Sequence, residues 1–358
     1  MIVDTAQAQL DAGRIEAVAR AAEEIDGVAP LGEQPLRALY GDADFSDSAS
    51  DAAGSGGEDG SGGEDGSGGD AGSGGVAGGV RHLVAWAGAG AGVVDLGEDG
   101  SGGQLIGYAQ IDGTGRDATA ELVVHPDHRR QGIGAGLVRA VIEREPAVSI
   151  WAHGALTAAT ELAEKLGLIR NRELLKMRRR GAYGPALPER TPVAGIELGT
   201  LAEAASEGGT RWPGLDARAE FLRVNNAAFH WHPEQGGWSR DMLDDRLAVD
   251  WVDTGAVFLA VDTSGDRGPR LAGFHWTKTV AEPGEPVEGE VYVVAVDPAD
   301  QGRGLGGVLT GIGVEHLEGT ADAESVVLYV EGDNHPAIRT YEKLGFVVEH
   351  VDVTYTSR

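Results

Sequence analysis

Gly302, Gly304 and Gly306 sit at alternate positions where a run of strand-forming residues, "EVYVVAV" ending at Val296, gives way to a polar elbow that holds Pro298. Glycine at the mouth of a helix leaves backbone N–H groups facing outward with no Cβ in the way, and the helix dipole adds positive potential there. The ligand that such chemistry suits is a phosphate or pyrophosphate. The plan occurs twice. "AELVVHPDHRRQGIGAG" sets Gly132 and Gly134 after Leu122, Val123 and Val124, and the 172 positions between Pro126 and Pro298 also separate Gly132 from Gly304. A lone elbow is equally well a tight strand-to-helix turn, but a pair at one spacing favours a ligand. A dinucleotide turn would follow its strand directly within a βαβ unit, whereas here six residues separate Val296 from Arg303. A P-loop would need a lysine that the elbow lacks.

The elements that must hold the second elbow are legible around it. Periodicity and breakers predict helices near 215–229 and 239–249, then strands near 257–262, 270–280 and 289–296. A helix at 304–317, a strand at 325–330, a helix at 336–344 and a final strand at 346–356 follow. The first half has the same order, and "AEKLGL" at Ala163 to Leu168 echoes "YEKLGF" at Tyr341 to Phe346. The expected class is α/β, or α+β in some schemes: a duplicated domain, each copy a mixed, mostly antiparallel sheet flanked by helices. The expected bounds are 1–182 and 196–358, joined by a proline-containing linker at 183–195.

Residues 42–79 are of another kind, repeating SGGEDG with no basic side chain, and are expected to be a disordered acidic insertion. The related "GEDGSGG" at 97–103 would lengthen a hairpin turn. The 358 residues carry a formal net charge of −28, which argues against a nucleic-acid partner. The compact basic cluster "KMRRR" at Lys176 to Arg180 is expected to be a solvated strand end. With no cysteine, disulfides, thiolate metal sites and a cysteine nucleophile are excluded. His230 and His232 lack a third ligand at metal spacing, so no metal is expected. Neither a signal peptide nor a membrane span is read, and a cytoplasmic monomer is expected.

Arg129 to Gly134 and Gln301 to Gly306 both match [QR]-x-x-G-x-[GA], and the chain thereby resembles the GCN5-related N-acetyltransferases (GNAT), whose acetyl-CoA signature this is. "NHPAIRTYEKLGF", Asn334 to Phe346, resembles the second hallmark of that family. "DGVAPLGEQPLR", "FLRVNNAAFHWHPEQGGWS" and "LAGFHWTK" extend the likeness to a two-domain branch that acetylates the cysteinyl amine of a cysteinyl-glucosaminyl-inositol. Apart from the acidic insertion, the resemblance covers nearly the whole chain.

The resemblance implies acetyl-CoA as co-substrate, held by Val294, Ala295 and Val296, by Gln301, Gly302, Arg303, Gly304, Leu305, Gly306 and Gly307, and by Asn334, His335, Pro336, Ala337, Ile338 and Arg339. In the first copy it implies Leu122, Val123, Val124, Arg130, Gln131, Gly132, Ile133, Gly134 and Ala135. It makes Tyr341 the acid for the leaving thiolate, and Glu290, at the start of the central strand on the side where substrate should approach, is the candidate base acting through water. Substrate contacts fall on Glu33, Glu234, Lys278, Glu290 and Tyr329, and Glu33 comes from the first half, which implies a cleft between domains. Aligned on the EKLG repeat, the first copy has Ala163 against Tyr341 and Leu156 against Asn334, so it is expected not to catalyse. Two other functions stay open: a non-catalytic acyl-CoA sensor or scaffold, and an acetyltransferase for another small-molecule or protein amine. The occurrence of Tyr341 and Glu290 in one copy only favours the enzyme.

Overall fold

The computed structural model describes residues 2–3, 11–40, 80–87, 103–181, 184–205, 211–230, 235–266, 268–281, 284 and 286–357. The acidic repeat at 42–79, the stretch 88–102, His232 and Glu234 lie outside the described residues. The chain divides into two compact units: Met1–Arg172 with Asp352–Arg358, and Glu173–Val351.

Unit 1 contains β1 (Ile2–Val3), α1 (Ala12–Asp26), α2 (Glu33–Tyr40), β2 (Arg81–Trp86), β3 (Leu105–Asp112), β4 (Thr119–Val124), α3 (Ile133–Arg144), β5 (Ser149–Ala152), α4 (Thr157–Leu166) and the start of β6 (Ile169–Arg179). Unit 2 takes the rest of β6, then β7 (Ile196–Thr200), α5 (Leu201–Ala204), α6 (Ala217–Ala228), α7 (Arg240–Leu247), β8 (Val257–Asp262) and β9 (Arg270–Val280). It continues with β10 (Glu288–Val296), α8 (Leu305–Gly319), β11 (Ser325–Glu331), α9 (His335–Lys343) and the start of β12 (Val347–Thr356).

The two sheets follow one plan. In unit 1, β1 to β4 form an antiparallel meander, β5 joins β4 in parallel, and the end of β12 pairs antiparallel with β5. In unit 2, β7 to β10 form the meander, β11 joins β10 in parallel, and β6 pairs antiparallel with β11. The closing strand of each unit therefore comes from the other half of the sequence, and the compact units depart from the expected bounds 1–182 and 196–358. Alternation marks β6 and β12 as strands, but the sheet a strand joins is set by packing at a distance.

Both faces of each sheet are covered. Ile15, Val18 and Leu39 of the first two helices pack on Tyr108 and Val123, and Leu137 and Val141 of α3 pack on Ala109, Ala120 and Ile150 behind. In unit 2, Phe221 of α6 stacks on Phe274 with ring centroids 3.8 Å apart and meets Trp276 edge-on. Removing a ring packed in this way costs about 3–5 kcal/mol. On the opposite face, α8 lies against β9 and β10 so closely that a Cβ on Gly313 would fall 2.1 Å from the His275 ring. Burial pushes His275 down to about 4, so it stays neutral while Leu309 O lies 2.8 Å from its Nδ1.

The basic cluster is a strand end, but not a solvated one. Arg179 is buried, and its guanidinium donates to Glu318 (2.6 Å), Leu344 O (2.6 Å) and Pro185 O (2.7 Å). A guanidinium can be buried when its N–H groups find acceptors in this way.

Candidate active site

The second elbow is built by caps and ion pairs. The Asp297 side chain accepts from the Ala299 N–H at 2.9 Å and, with Pro298, starts a single 3₁₀ turn, Pro298–Asp300. Gly302 (φ 80°) and Gly304 (φ 85°) then take left-handed conformations, and Gly304 caps α8. A Cβ added at Gly302, Gly304 or Gly306 would meet nothing within 4 Å, so space lies beside the helix mouth, where the first N–H groups lack intrahelical partners. Beneath, buried Asp300 receives Arg270 and Arg303, Asp262 receives Arg270 (3.2 Å) and Arg303 (3.0 Å), and Asp297 pairs with Arg223. Hydrogen bonds from Ser264, helped by Arg303 and Arg270, outweigh burial and pull Asp262 down to about 2. The Arg303 guanidinium also donates to Ala194 O at 3.0 Å, so its charge is engaged within the protein and the elbow gains from Arg303 mainly its backbone.

Next to the elbow the sheet forks. β10 and β11 pair in parallel over Glu288–Glu290 and Ser325–Val327, after which β10 continues against β9 and β11 against β6. Val294, Ala295 and Val296 are opposite His275, Phe274 and Gly273, which leaves their other edge toward the fork. At the far side, the Asn334 side chain caps α9 by accepting from Ala337 N–H at 3.3 Å; His335, Pro336, Ala337, Ile338 and Arg339 form its first turns. Tyr341 packs edge-on to Phe346 at 6.0 Å, and burial pushes its phenol up to about 12.

Glu290 and Lys278 are cross-strand partners with their charges 3.8 Å apart. The Lys278 ammonium lies over the rings of Trp251 (5.5 Å) and Tyr292 (5.9 Å). Neither aromatic was singled out in the sequence, where Trp251 is one bulky residue in a turn and Tyr292 one alternating member of a strand. Tyr329 is 48% exposed, with Lys176 over its ring at 5.9 Å. Val326, Leu328 and Val330 face the α8 core, so alternation along β11 puts Tyr329 on the opposite face of the sheet. Glu33 opens α2 of unit 1, where only its backbone is described.

The profile of the Acetyltransferase (GNAT) family matches residues 225–346, and that of an Acetyltransferase (GNAT) domain matches residues 84–168. A mycothiol acetyltransferase of Mycolicibacterium gilvum is 40% identical over 353 residues, 97% of this chain and 94% of its own. One from Rhodococcus erythropolis is 46% identical over 281 residues, 77% of this chain and 87% of its own. The chain belongs to the mycothiol acetyltransferase family. A solved GCN5-related N-acetyltransferase from Sphaerobacter thermophilus shares the fold, with a TM-score of 0.51 and 23% identity over 71% of this chain and 76% of that one.

In this member of the mycothiol acetyltransferase family, unit 1 repeats the elbow. Gly132 (φ 88°) caps α3 before Ile133, Gly134 and Ala135, and Arg130 (φ 64°) occupies the place of Gly302. Arg130 pairs with Glu161 at 2.7 Å, and Gln131 donates weakly to Asp127 O at 3.4 Å. Leu122 and Val124 pack toward α3, while Val123 packs on the side of α1 and α2. The fork differs from that of unit 2. β4 and β5 pair at Thr119 with Ser149 and at Ala120 with Ile150, and beyond them Glu121 Oε2 lies 3.2 Å from His153 Nε2, too poorly aligned for a hydrogen bond. Asp352 lies 3.6 Å from the other ring nitrogen, and Glu121 also accepts the Gly32 N–H at 2.6 Å. Burial opposes the charged imidazole, but Asp352 and Glu121 win and raise His153 to about 9.

Proposed function

We propose that unit 2 transfers the acetyl group of acetyl-CoA to the cysteinyl amine of a cysteinyl-glucosaminyl-inositol, the step that forms mycothiol. The observation that carries this is the fork: strands that part just past Glu290, flanked by an elbow with space beside three glycines. That geometry fits a pyrophosphate at the mouth of α8 and an extended pantetheine along Val294 to Val296, whose backbone N–H groups would orient the thioester and polarise its carbonyl.

An α-amino group with a pKa of about 8 is roughly one-tenth neutral at pH 7, so Glu290 need not be a strong base. Its task is to attract the ammonium and to take the proton, through water, as the C–N bond forms. The nitrogen attacks the carbonyl carbon, the C–S bond breaks, and sulfur leaves as thiolate facing the Tyr341 hydroxyl. A phenol near 12 is a weaker acid than a thiol of about 8.5, and full transfer would be uphill by about 5 kcal/mol. Tyr341 therefore helps chiefly as a hydrogen-bond donor, and the proton that completes the thiol comes ultimately from solvent. Lys278 and Tyr329 would contact the polyhydroxylated acceptor. Unit 1 keeps the elbow without an acid, and would hold CoA without turnover.

The test is to incubate the purified protein with acetyl-CoA and cysteinyl-glucosaminyl-inositol and follow the acceptor by mass spectrometry. One acetyl group gained on the amine is expected. An unmodified acceptor, with bound acetyl-CoA intact, would favour an acyl-CoA-binding protein instead.

A further inference from the structure

Lys278 and Glu290 face each other across a strand pair, yet their charges stop 3.8 Å apart. An ammonium and a carboxylate left to themselves close to about 2.8 Å. Two aromatic rings lie against the ammonium. Centroids of Trp251 and Tyr292 lie 5.5 and 5.9 Å from the ammonium, both within the roughly 6 Å reach of a cation–π contact. The rings are themselves held, because Trp251 meets Tyr292 edge-on at 5.2 Å and both rest on buried Trp276, at 6.0 and 5.6 Å. Tyr292 owes its place to an irregularity in register, where β10 advances from Val291 to Val293 while β9 moves only from Thr277 to Trp276. Such a bulge re-aims a side chain without ending the strand.

We propose that Trp251 and Tyr292 are positioning residues for acetyl transfer: their ring faces set the distance of the Lys278 ammonium from Glu290, so that it does not close on the carboxylate that the acceptor's ammonium must reach. The inference rests on Glu290 and Lys278 serving the acceptor, as proposed above. Without the rings, the flexible four-carbon stem of Lys278 collapses onto Glu290, competes with the acceptor and lowers the pKa of the carboxyl group.

The experiment is a double-mutant cycle on the full chain, read by steady-state kinetics with cysteinyl-glucosaminyl-inositol and acetyl-CoA. Trp251→Leu should raise KM for the amine about tenfold, the size of one cation–π contact, and move the acid limb of kcat/KM to lower pH. KM for acetyl-CoA should stay unchanged, and Trp251→Phe, which keeps a ring face, should retain most of the activity. In a Lys278→Met background, Trp251→Leu should add no further loss. Tyr292→Leu and Tyr292→Phe repeat the test should Trp251→Leu fail to fold. A loss in Lys278→Met that multiplies with the loss from Trp251→Leu, or from Tyr292→Leu, overturns the inference and leaves the proposed function standing. Full activity in both Lys278→Met and Glu290→Gln overturns the assignment of the acceptor site, and this inference with it.

Discussion

Where the parallel pairing ends, the two units differ. In unit 2, β10 and β11 part beyond Glu290 and Val327; in unit 1, β4 and β5 part beyond Ala120 and Ile150, and there Glu121 and His153 reach toward each other, braced by Asp352. The repeat spacing sets Val293 against Glu121, Glu331 against His153 and Leu174 against Asp352. The elbows remain alike, with Gly132 and Gly304 at φ 88° and 85°. A phosphate cradle made of backbone tolerates drift in the side chains around it, whereas acid, base and acceptor contacts are side chains and can be lost one at a time. On the proposal that unit 1 holds CoA without turnover, the comparison teaches that backbone and side-chain parts of a duplicated site can be kept or lost separately.

The largest expected effect tests that asymmetry. Gly306→Glu puts a negative charge at the mouth of α8 in a place where a Cβ meets nothing, so the fold should stand while kcat/KM for acetyl-CoA drops at least about a hundredfold, as expected when several charge-assisted hydrogen bonds are lost. Gly134→Glu, whose Cβ would meet Leu162 at an ordinary 3.4 Å, should at most remove one bound CoA per chain. Equal loss of turnover in two folded variants, judged by circular dichroism and a count of bound CoA, would end the claim that unit 1 does not catalyse. Next in size, Tyr341→Phe should lower kcat by about 10²-fold or less, at the low end for general acids because its phenol is so weakly acidic. An unchanged kcat with chemistry rate-limiting removes Tyr341 from that role.

Smaller effects belong to unit 1. His153 has a folded pKa of about 9, above its unfolded value of about 6.5. Its contribution is therefore complete below pH 6.5 and fades as pH rises through about 9, by about 3 kcal/mol at most. The urea midpoint should fall between pH 6 and pH 9.5 in the wild type, and less so in His153→Gln; parallel slopes would show that the cluster is energetically silent. The smallest effect expected is none. Deleting residues 48–75, rich in glycine and acidic residues with almost nothing to bury, should leave melting temperature and kcat unchanged.

Much of unit 2 is legible in the chain because its punctuation is local. Proline and glycine bracket the elbow, and helix and strand limits fall within about two residues of those the periodicity predicts, a margin that end fraying explains. What stays hidden is what forms between distant positions. Nothing near His153 announces Asp352, and only comparison of the repeats, with Glu121 standing where Val293 is apolar, gives a clue. Arg303 looks like a phosphate ligand by motif, but three buried carboxylates below the elbow compete for the arginines nearby. Trp251 and Tyr292 gain meaning only when a turn and a bulge bring them to one lysine.

The exchanged closing strands bear on how the protein is made. The edge of β5 waits for Val353 to Tyr355, which are synthesised only after the whole of residues 173–351. At about 5–20 residues per second, the interval between Arg172 and Asp352 is on the order of 10 to 40 s, during which a nascent unit 1 has an unfinished sheet. Domains that fold in order of synthesis can each be finished before the next begins. Here unit 1 cannot be, although unit 2 is one continuous stretch, and termination just after residue 182 would release a first half that lacks the strand covering the edge of β5.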